Sequence, residues 1–414
     1  MSSSIPPFEV MDDGPYIVLV VLGTISSVLS LLGSSCVIFL SFRERHKVMH
    51  RLMLALSVSD WFSSIASLFM PYAIPSFLGL PGAIGNYDTC TVFGFFLMTF
   101  ILVGCLYNAY LSLYFYLVVV RNWRERDFTL APEAVAHAVG VLVPLAVNVV
   151  AAVTESINPS PLINNVCIYA TFPWGCSESD DMICTRSDRE TVVDIVFFGS
   201  IWLFVFSMVG FVSTFCVWYT VRLTVQRSSA YRFQSSSIRQ SQNQNRQSQN
   251  NNNNNNATDD RLVQVRTQAI LYSLAYLNTA FWPLMGALFS SHFFQTSEQI
   301  QERKLLPVFY ALQLFYWALY PLQGFLNFFI YTRLMVRRWR RVEPDQSIFW
   351  IYKQILTTRQ SDGMSSTVRH NTNTKSRSNN NSNISRPLAP AKNSCPLPEV
   401  TTDADNEQSA FAIE

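Results

Sequence analysis

The chain has 414 residues, of which 49% are hydrophobic and only 14% are charged. Soluble domains usually carry about 25% charged residues, so this composition excludes an ordinary soluble protein. The net charge of +2 is uninformative by itself, whereas the distribution of Lys and Arg along the chain is informative.

Seven apolar stretches follow a short acidic segment, 1–15, that is predicted to be extracellular. Each stretch is long enough for a membrane-spanning helix and far too long for a barrel strand. The predicted spans are 16–42, 52–79, 91–120, 134–153, 195–221, 267–289 and 305–332. The sequence therefore predicts an all-α membrane protein, a bundle of seven transmembrane helices.

Lys and Arg are distributed unevenly among the segments that connect these spans. All but four of the 30 follow the first, third, fifth or seventh span, and the exceptions are Arg186, Arg189, Arg303 and Lys304. Because cytoplasmic loops accumulate Lys and Arg, we predict that the amino terminus lies outside the cell and the carboxyl terminus in the cytosol.

The third span is predicted to be the central helix of the bundle. The stretch 91–120 contains no Asp, Glu, Lys, Arg or His, and Gly104, Asn108 and Ser112 recur along it every four residues. Residues four apart share one face of a helix, and small or polar side chains belong where membrane helices meet. This stripe therefore indicates contact with other helices.

Two polar segments are predicted to be disordered, the inner loop 228–260 and the cytosolic tail 357–414. Neither could bury enough apolar surface to offset the entropy lost on ordering. In the segment 333–356, which follows the seventh span and precedes the tail, arginines alternate with apolar residues. This pattern predicts an amphipathic helix on the anionic inner surface of the membrane.

Half of the eight cysteines lie on the predicted outer side, where disulfides persist: Cys90, Cys167, Cys176 and Cys184. Four cysteines allow three pairings. We favour Cys90–Cys167, which would tie the second outer loop to the third span, together with Cys176–Cys184. Free or differently paired thiols are the alternative.

Several motifs resemble those of rhodopsin-like G-protein-coupled receptors, over roughly residues 16–342. The second span reads LSVSD at 56–60, the sixth reads FWP at 281–283, and the seventh reads GFLNFFIY at 324–331. These stretches are similar to that class's Leu-x-x-x-Asp signature, its aromatic-and-proline hinge and its Asn-Pro-x-x-Tyr element.

The chain also departs from that class. It reads GS at 33–34 in place of Gly-Asn, YFY at 114–116 in place of Asp-Arg-Tyr, and Phe328 in place of a proline, and its fourth span lacks Trp. This pattern looks more like the cyclic-AMP-receptor-like and related divergent receptors of protists.

The resemblance implies an internal polar site at Asp60, the one acidic residue inside a predicted span. A carboxylate at membrane depth is costly unless it is paired or hydrated, so it marks a functional site by default. Asn327 would meet Asp60, with Asn108 and Tyr331 completing the site and a sodium ion as a candidate ligand. A protonated Asp60 that serves packing is the alternative.

The resemblance also implies moving parts and a docking face. Pro283 would kink the sixth span, and Trp282 would act as a switch beside it, a purely structural pair being the alternative. The residues expected at the G-protein and inner-leaflet face are Arg121, Arg124, Arg337 and Arg338, with solvated charge as the alternative for each.

The resemblance points to a plasma-membrane receptor that binds an unidentified extracellular ligand and activates a heterotrimeric G protein. Apart from these, membrane lipid is the expected partner, and no nucleic acid, cofactor or enzymatic activity is expected. None of the five Lys lies near the centre of a span, which disfavours a pigment that needs a Schiff base. A secondary transporter or channel is the alternative.

Overall fold

The computed structural model describes residues 13–124, 127–128, 130–159, 166–173, 176, 183–239, 267–268, 270–272, 274–275, 277–278 and 306–357. Its helices are α1 (Asp13–Arg43), α2 (Val48–Ala73), α3 (Tyr87–Val119), α4 (Leu130–Val153), α5 (Arg189–Arg239), α6 (the helical residues described within 267–278), α7 (Leu306–Leu319), α8 (Gln323–Val342) and α9 (Ile348–Thr357). A short 3-10 turn covers Ser76–Leu78, and the strands β1 (Ile157–Pro159) and β2 (Cys167–Tyr169) pair antiparallel.

Five helices among the described residues, α1 to α5, are long and apolar enough to cross a membrane. They correspond to the first five predicted spans, and the prediction of an all-α membrane bundle is confirmed. The predicted second span ran to Gly79, but α2 ends at Ala73. The residue before a proline avoids helical backbone, and Ile74 before Pro75 is extended, with ψ of 140°.

The fifth helix is longer than the predicted fifth span. α5 continues to Arg239, past residue 228, where the disordered inner loop was expected to begin. The stretch 222–239 contains neither Pro nor Gly to interrupt the helix, so each added residue extends it by one backbone hydrogen bond. The rest of that loop, like the tail after Thr357, lies outside the described residues.

The predicted seventh span is two helices, α7 and α8, separated at Pro321. Proline has no N–H to donate. The next residue, Leu322, donates its N–H to the carbonyl three residues back, that of Leu319, at 3.3 Å, and not to the carbonyl four residues back as in an α-helix. The Ala318 carbonyl instead accepts from Ser26 Oγ of α1 at 2.9 Å. Asn278 Nδ2 of α6 donates to the Leu319 carbonyl at 3.2 Å. Neighbouring helices therefore supply side-chain donors to two carbonyls beside the break.

Small residues bring α1 unusually close to α8. A methyl group added at Gly33 would lie 2.6 Å from the Phe325 Cα, and one added at Gly324 would lie 2.7 Å from Ser30 Oγ. The Gly324 N–H donates to that Ser30 hydroxyl at 3.0 Å. Without side chains at these two glycines, the two backbones pack directly against each other.

The β1–β2 hairpin contacts α3 at the end of the bundle that is predicted to face outward. Both predicted disulfides are confirmed: Cys90–Cys167 joins the start of α3 to β2, and Cys176–Cys184 closes a short loop. Gly94 allows the approach, because a methyl group there would lie 2.5 Å from Ile157 Cγ2. The buried core at this end includes Tyr16, Met70, Leu97, Ile157, Trp317 and Tyr320.

The structure divides into two compact units, 1–337 and 338–414. α8 runs without interruption to Val342, so the predicted boundary between span and surface helix at 332–333 is not a helix end. In the second unit the Trp339 and Trp350 rings meet edge to face at 5.8 Å. Ile351 and Ile355 of α9 are buried, whereas Phe349 is exposed.

We predict that Gly33→Ala destabilises the bundle by about 1–3 kcal/mol, because the added methyl forces α1 and α8 apart. Gly199→Ala is the matched control, since a methyl there meets nothing within 4 Å. Thermal unfolding of the two purified variants in detergent checks this. Equal midpoints for both variants would contradict the close packing of α1 on α8.

Candidate functional site

The centre of the candidate site is a hydrogen bond between α2 and α8. Asn327 Nδ2 donates to Asp60 Oδ2 at 2.8 Å. Asp60 is 5% exposed and Asn327 is fully buried, so neither side chain can use bulk water as its partner. A buried polar group without a partner is costly, which makes this contact a strong constraint on how the two helices are positioned.

Serines of α1 and α2 surround this pair. Ser64 Oγ lies 2.6 Å from the Asp60 carbonyl and 2.9 Å from Ser30 Oγ, and both contacts are hydrogen bonds. Ser30 also accepts from the Gly324 N–H. α1, α2 and α8 are thus connected through one polar cluster, defined here as Ser30, Asp60, Ser64, Gln323 and Asn327.

Gln323 belongs to this cluster although it was not among the predicted site residues. Its Nε2 donates to Asn327 Oδ1 at 3.4 Å, one turn along α8. Its Oε1 is buried without a hydrogen-bond partner, which leaves an acceptor beside the Asp60–Asn327 pair. Such an acceptor suits a water molecule or a cation.

Asn108 occupies a different position from the one expected. It is buried in α3, and its Nδ2 donates to the Gly104 carbonyl of the same helix at 3.0 Å. Within the described residues, no hydrogen bond joins it to Asp60, and no group of three or more His, Cys, Asp or Glu could hold a metal ion. Sodium binding at Asp60 stays a prediction.

Tyr331 meets a partner that the sequence did not identify. Its hydroxyl lies 2.8 Å from His50 Nδ1 of α2, and the two rings pack edge to face at 5.7 Å. Both side chains are buried, at 3% and 4% exposure. This is a second hydrogen bond between α2 and α8, nearer than the Asp60 pair to the end predicted to face the cytosol.

A further polar network joins α2, α4 and α3 near the same end. Arg51 Nη2 donates to Glu133 Oε2 at 2.6 Å, and Arg51 Nη1 donates to the His46 carbonyl at 2.9 Å. Glu133 lies 3.6 Å from His137 Nε2, and His137 Nδ1 lies 2.9 Å from the Tyr107 hydroxyl. Arg51 therefore connects the loop between α1 and α2 to α4.

The remaining predicted residues are dispersed. Arg121 and Arg124 are exposed after the end of α3, and Arg337 is exposed on α8 with Arg338 half-buried beside it. Trp282 and Pro283 lie outside the described residues. The three free cysteines described, Cys36, Cys105 and Cys216, are in α1, α3 and α5.

Three of the missed residues carried a weak signal. Gln323 stands one helical turn before Asn327, the spacing at which side chains share a face. Glu133 precedes the predicted fourth span by one residue, and Arg51 precedes the second. Partners far apart in sequence, such as His50 and Tyr331, leave no such signal, because neither helix reveals which face meets the other.

We predict that Asp60→Asn folds with near-native stability, because an amide oxygen still accepts from Asn327. Asp60→Leu leaves that amide buried without an acceptor and should destabilise the protein by about 1–3 kcal/mol. Thermal unfolding in detergent distinguishes the two variants. Equal unfolding midpoints for Asp60→Leu and Asp60→Asn would show that the contact with Asn327 contributes nothing to stability.

We also expect energetic coupling between His50 and Tyr331. A double-mutant cycle with His50→Phe and Tyr331→Phe keeps both rings and removes only the hydrogen bond. The expected coupling is about 0.6–1.7 kcal/mol, the range for side-chain hydrogen bonds between membrane helices. Additive effects of the two substitutions on the unfolding midpoint would contradict the contact.

No family model matches the sequence, and no curated protein matches it. Among solved structures the chain is similar to squid rhodopsin, with a TM-score of 0.54 and 15% identity, over 88% of this chain and 94% of that one. Sequence identity this low establishes a shared fold and nothing finer. The chain therefore has the all-helical membrane fold seen in squid rhodopsin.

Proposed function

We propose that this protein is a plasma-membrane receptor that binds an extracellular ligand and promotes nucleotide exchange on a heterotrimeric G protein. The ligand would enter from the outside between the third, fifth, sixth and seventh spans. The protein would have no enzymatic activity of its own. Its partners would be the ligand, the G protein and the lipid of the inner leaflet.

One observation carries the proposal: two buried hydrogen bonds, Asp60–Asn327 and His50–Tyr331, join α2 to α8 in a rhodopsin-like fold. Each is a single side-chain hydrogen bond between membrane helices, of a kind that contributes about 0.6–1.7 kcal/mol, which is within the range of a ligand's binding energy. A ligand that favours an arrangement without them would shift the population of conformations. That is the property a transmembrane signal requires.

The basic residues at the predicted cytosolic end support the same proposal. Arg121, Arg124 and Arg337 are exposed, and Arg338 is half-buried. In the proposed orientation they face the anionic inner leaflet and any protein that docks there. Near that surface each Lys or Arg contributes about 1 kcal/mol of attraction.

Guanine-nucleotide exchange tests the proposal directly. The native chain, His50→Phe and Tyr331→Phe are reconstituted in nanodiscs with a panel of G-protein α subunits from the source organism, and Gly199→Ala is the control. If the His50–Tyr331 bond holds the resting state, its loss should raise basal exchange by about threefold or more, since 0.6 kcal/mol is roughly that factor.

Exchange above that of empty nanodiscs, by the native chain or by either variant, supports a receptor. Absence of exchange by all of them, together with ion or solute flux in proteoliposomes, would overturn the proposal in favour of a transporter or channel. The Gly199→Ala control should behave as the native chain does.

A further inference from the structure

An aromatic cluster joins two loops at the end of the bundle that is predicted to face outward. It consists of Phe77 from the 3-10 turn, Tyr87 at the start of α3 and Phe172 from the segment after β2. The ring centroids of Phe77 and Tyr87 lie 5.2 Å apart, and that of Phe172 lies 6.1 Å from the first and 5.4 Å from the second. The loop between α2 and α3 therefore packs against the segment that follows the hairpin.

The cluster is part of an exposed apolar surface. Phe77 is 53% exposed, and two isoleucines of the same loops, Ile84 and Ile183, are 80% and 86% exposed. Exposed apolar surface of this kind marks an interaction site when it is gathered in one place and surrounded by polar residues. The outer apolar surface is defined here as Phe77, Ile84, Tyr87, Phe172 and Ile183.

Backbone hydrogen bonds hold the two loops of this surface in place. The Ser76 N–H donates to the Gly85 carbonyl at 3.0 Å, and the Thr185 N–H donates to the Phe172 carbonyl at 2.9 Å. The Cys176–Cys184 disulfide closes the segment between the last two residues. A partner would therefore bind a surface that is already ordered, which reduces the entropy lost on binding.

The exposure of this surface distinguishes between classes of ligand. Small molecules are usually bound in concave pockets that bury most of the ligand. Side chains with half or more of their surface exposed, spread over two loops, suit a broader partner, and aromatic residues are enriched at the interfaces between proteins. The outer apolar surface therefore fits a peptide better than a small molecule.

The charge around this surface is negative. The second outer loop, 154–194, contains seven Asp or Glu, two Arg and neither Lys nor His. Asp88 follows Tyr87 directly and is exposed. Arg186 lies over the Tyr87 ring at 4.7 Å and has Glu155 at 3.9 Å, so a carboxylate matches its charge. Complementary potentials favour association, so the acidic excess favours a basic partner.

We propose that the outer apolar surface docks a basic peptide. Apolar side chains of the peptide cover Phe77, Ile84 and Ile183, while its Lys or Arg side chains meet the acidic loop. This inference rests on the proposed function, since the peptide would be the extracellular ligand or a part of it. The docking itself requires no G protein.

Selection from a phage-displayed library of random peptides tests the docking. The native chain in nanodiscs of phosphatidylcholine is the target, and phage that bind empty nanodiscs are removed beforehand. The enriched peptides should be rich in Lys or Arg and in apolar residues. Their binding should weaken as ionic strength rises, because salt screens exposed charges.

Synthetic copies of the enriched peptides are then titrated against variants whose folding is checked by thermal unfolding. Phe77→Ala should weaken binding by about fivefold or more, the effect of truncating a contributing aromatic contact. Ile84→Ser and Ile183→Ser change side chains that are more exposed still, so their replacement leaves the fold intact. Phe204→Ala is the matched control, because Phe204 is also 53% exposed but lies within α5.

A spin label at position 77 shows whether this surface meets water or lipid. The label is attached to Phe77→Cys in a chain with Cys36, Cys216 and Cys395 replaced by alanine. Greater accessibility to a water-soluble nickel complex than to oxygen is expected. The opposite order would mean that lipid covers Phe77, and it would overturn the docking surface.

Enrichment of acidic or uncharged peptides, or of none, would also overturn the docking surface. So would unchanged affinity in Phe77→Ala, Ile84→Ser and Ile183→Ser, or an equal loss of affinity in Phe204→Ala. Binding of basic peptides without nucleotide exchange by any α subunit would keep the docking surface and count against the receptor. Exchange without enrichment of basic peptides would keep the receptor alone.

Discussion

The structure depends on the satisfaction of backbone polar groups at one interruption in the seventh span. In hydrocarbon there is no water to replace a lost helical hydrogen bond, so a break must be repaired by protein groups. Pro321 causes such a break: Ser26 of α1 donates to the Ala318 carbonyl, and Asn278 of α6 gives the Leu319 carbonyl a second donor. The seventh span is consequently the element to which the first and sixth helices are both tied.

The small residues of α1 allow its serines to reach the seventh span. Ser26 and Ser30 can reach α7 and α8 only if the backbones are close, and the contact of Gly33 with Phe325 shows how close they are. That approach fixes the rotation of α8, which points Asn327 at Asp60 and Tyr331 at His50. The close packing of α1 on α8 and the hydrogen bonds between α2 and α8 therefore depend on each other.

The sequence was sufficient for the first five spans, because apolar length is a local property, and it favoured the two disulfide pairings that the structure contains. It also placed a polar site at Asp60, since a buried carboxylate needs a partner. It was insufficient for the stack of Phe115 on Tyr272 and the pair of Arg51 with Glu133. Those contacts depend on helix rotation, and no periodicity within a single helix determines which neighbour it faces.

Two kinds of contact near the end of the bundle that is predicted to face the cytosol differ in their response to salt. The Arg51–Glu133 contact joins α2 to α4 through charged groups. The Phe115–Tyr272 contact joins α3 to α6 through uncharged rings. Screening by salt acts on charges and leaves ring stacking untouched. A rise in ionic strength would therefore weaken the attachment of α4 to α2 more than the attachment of α6 to α3.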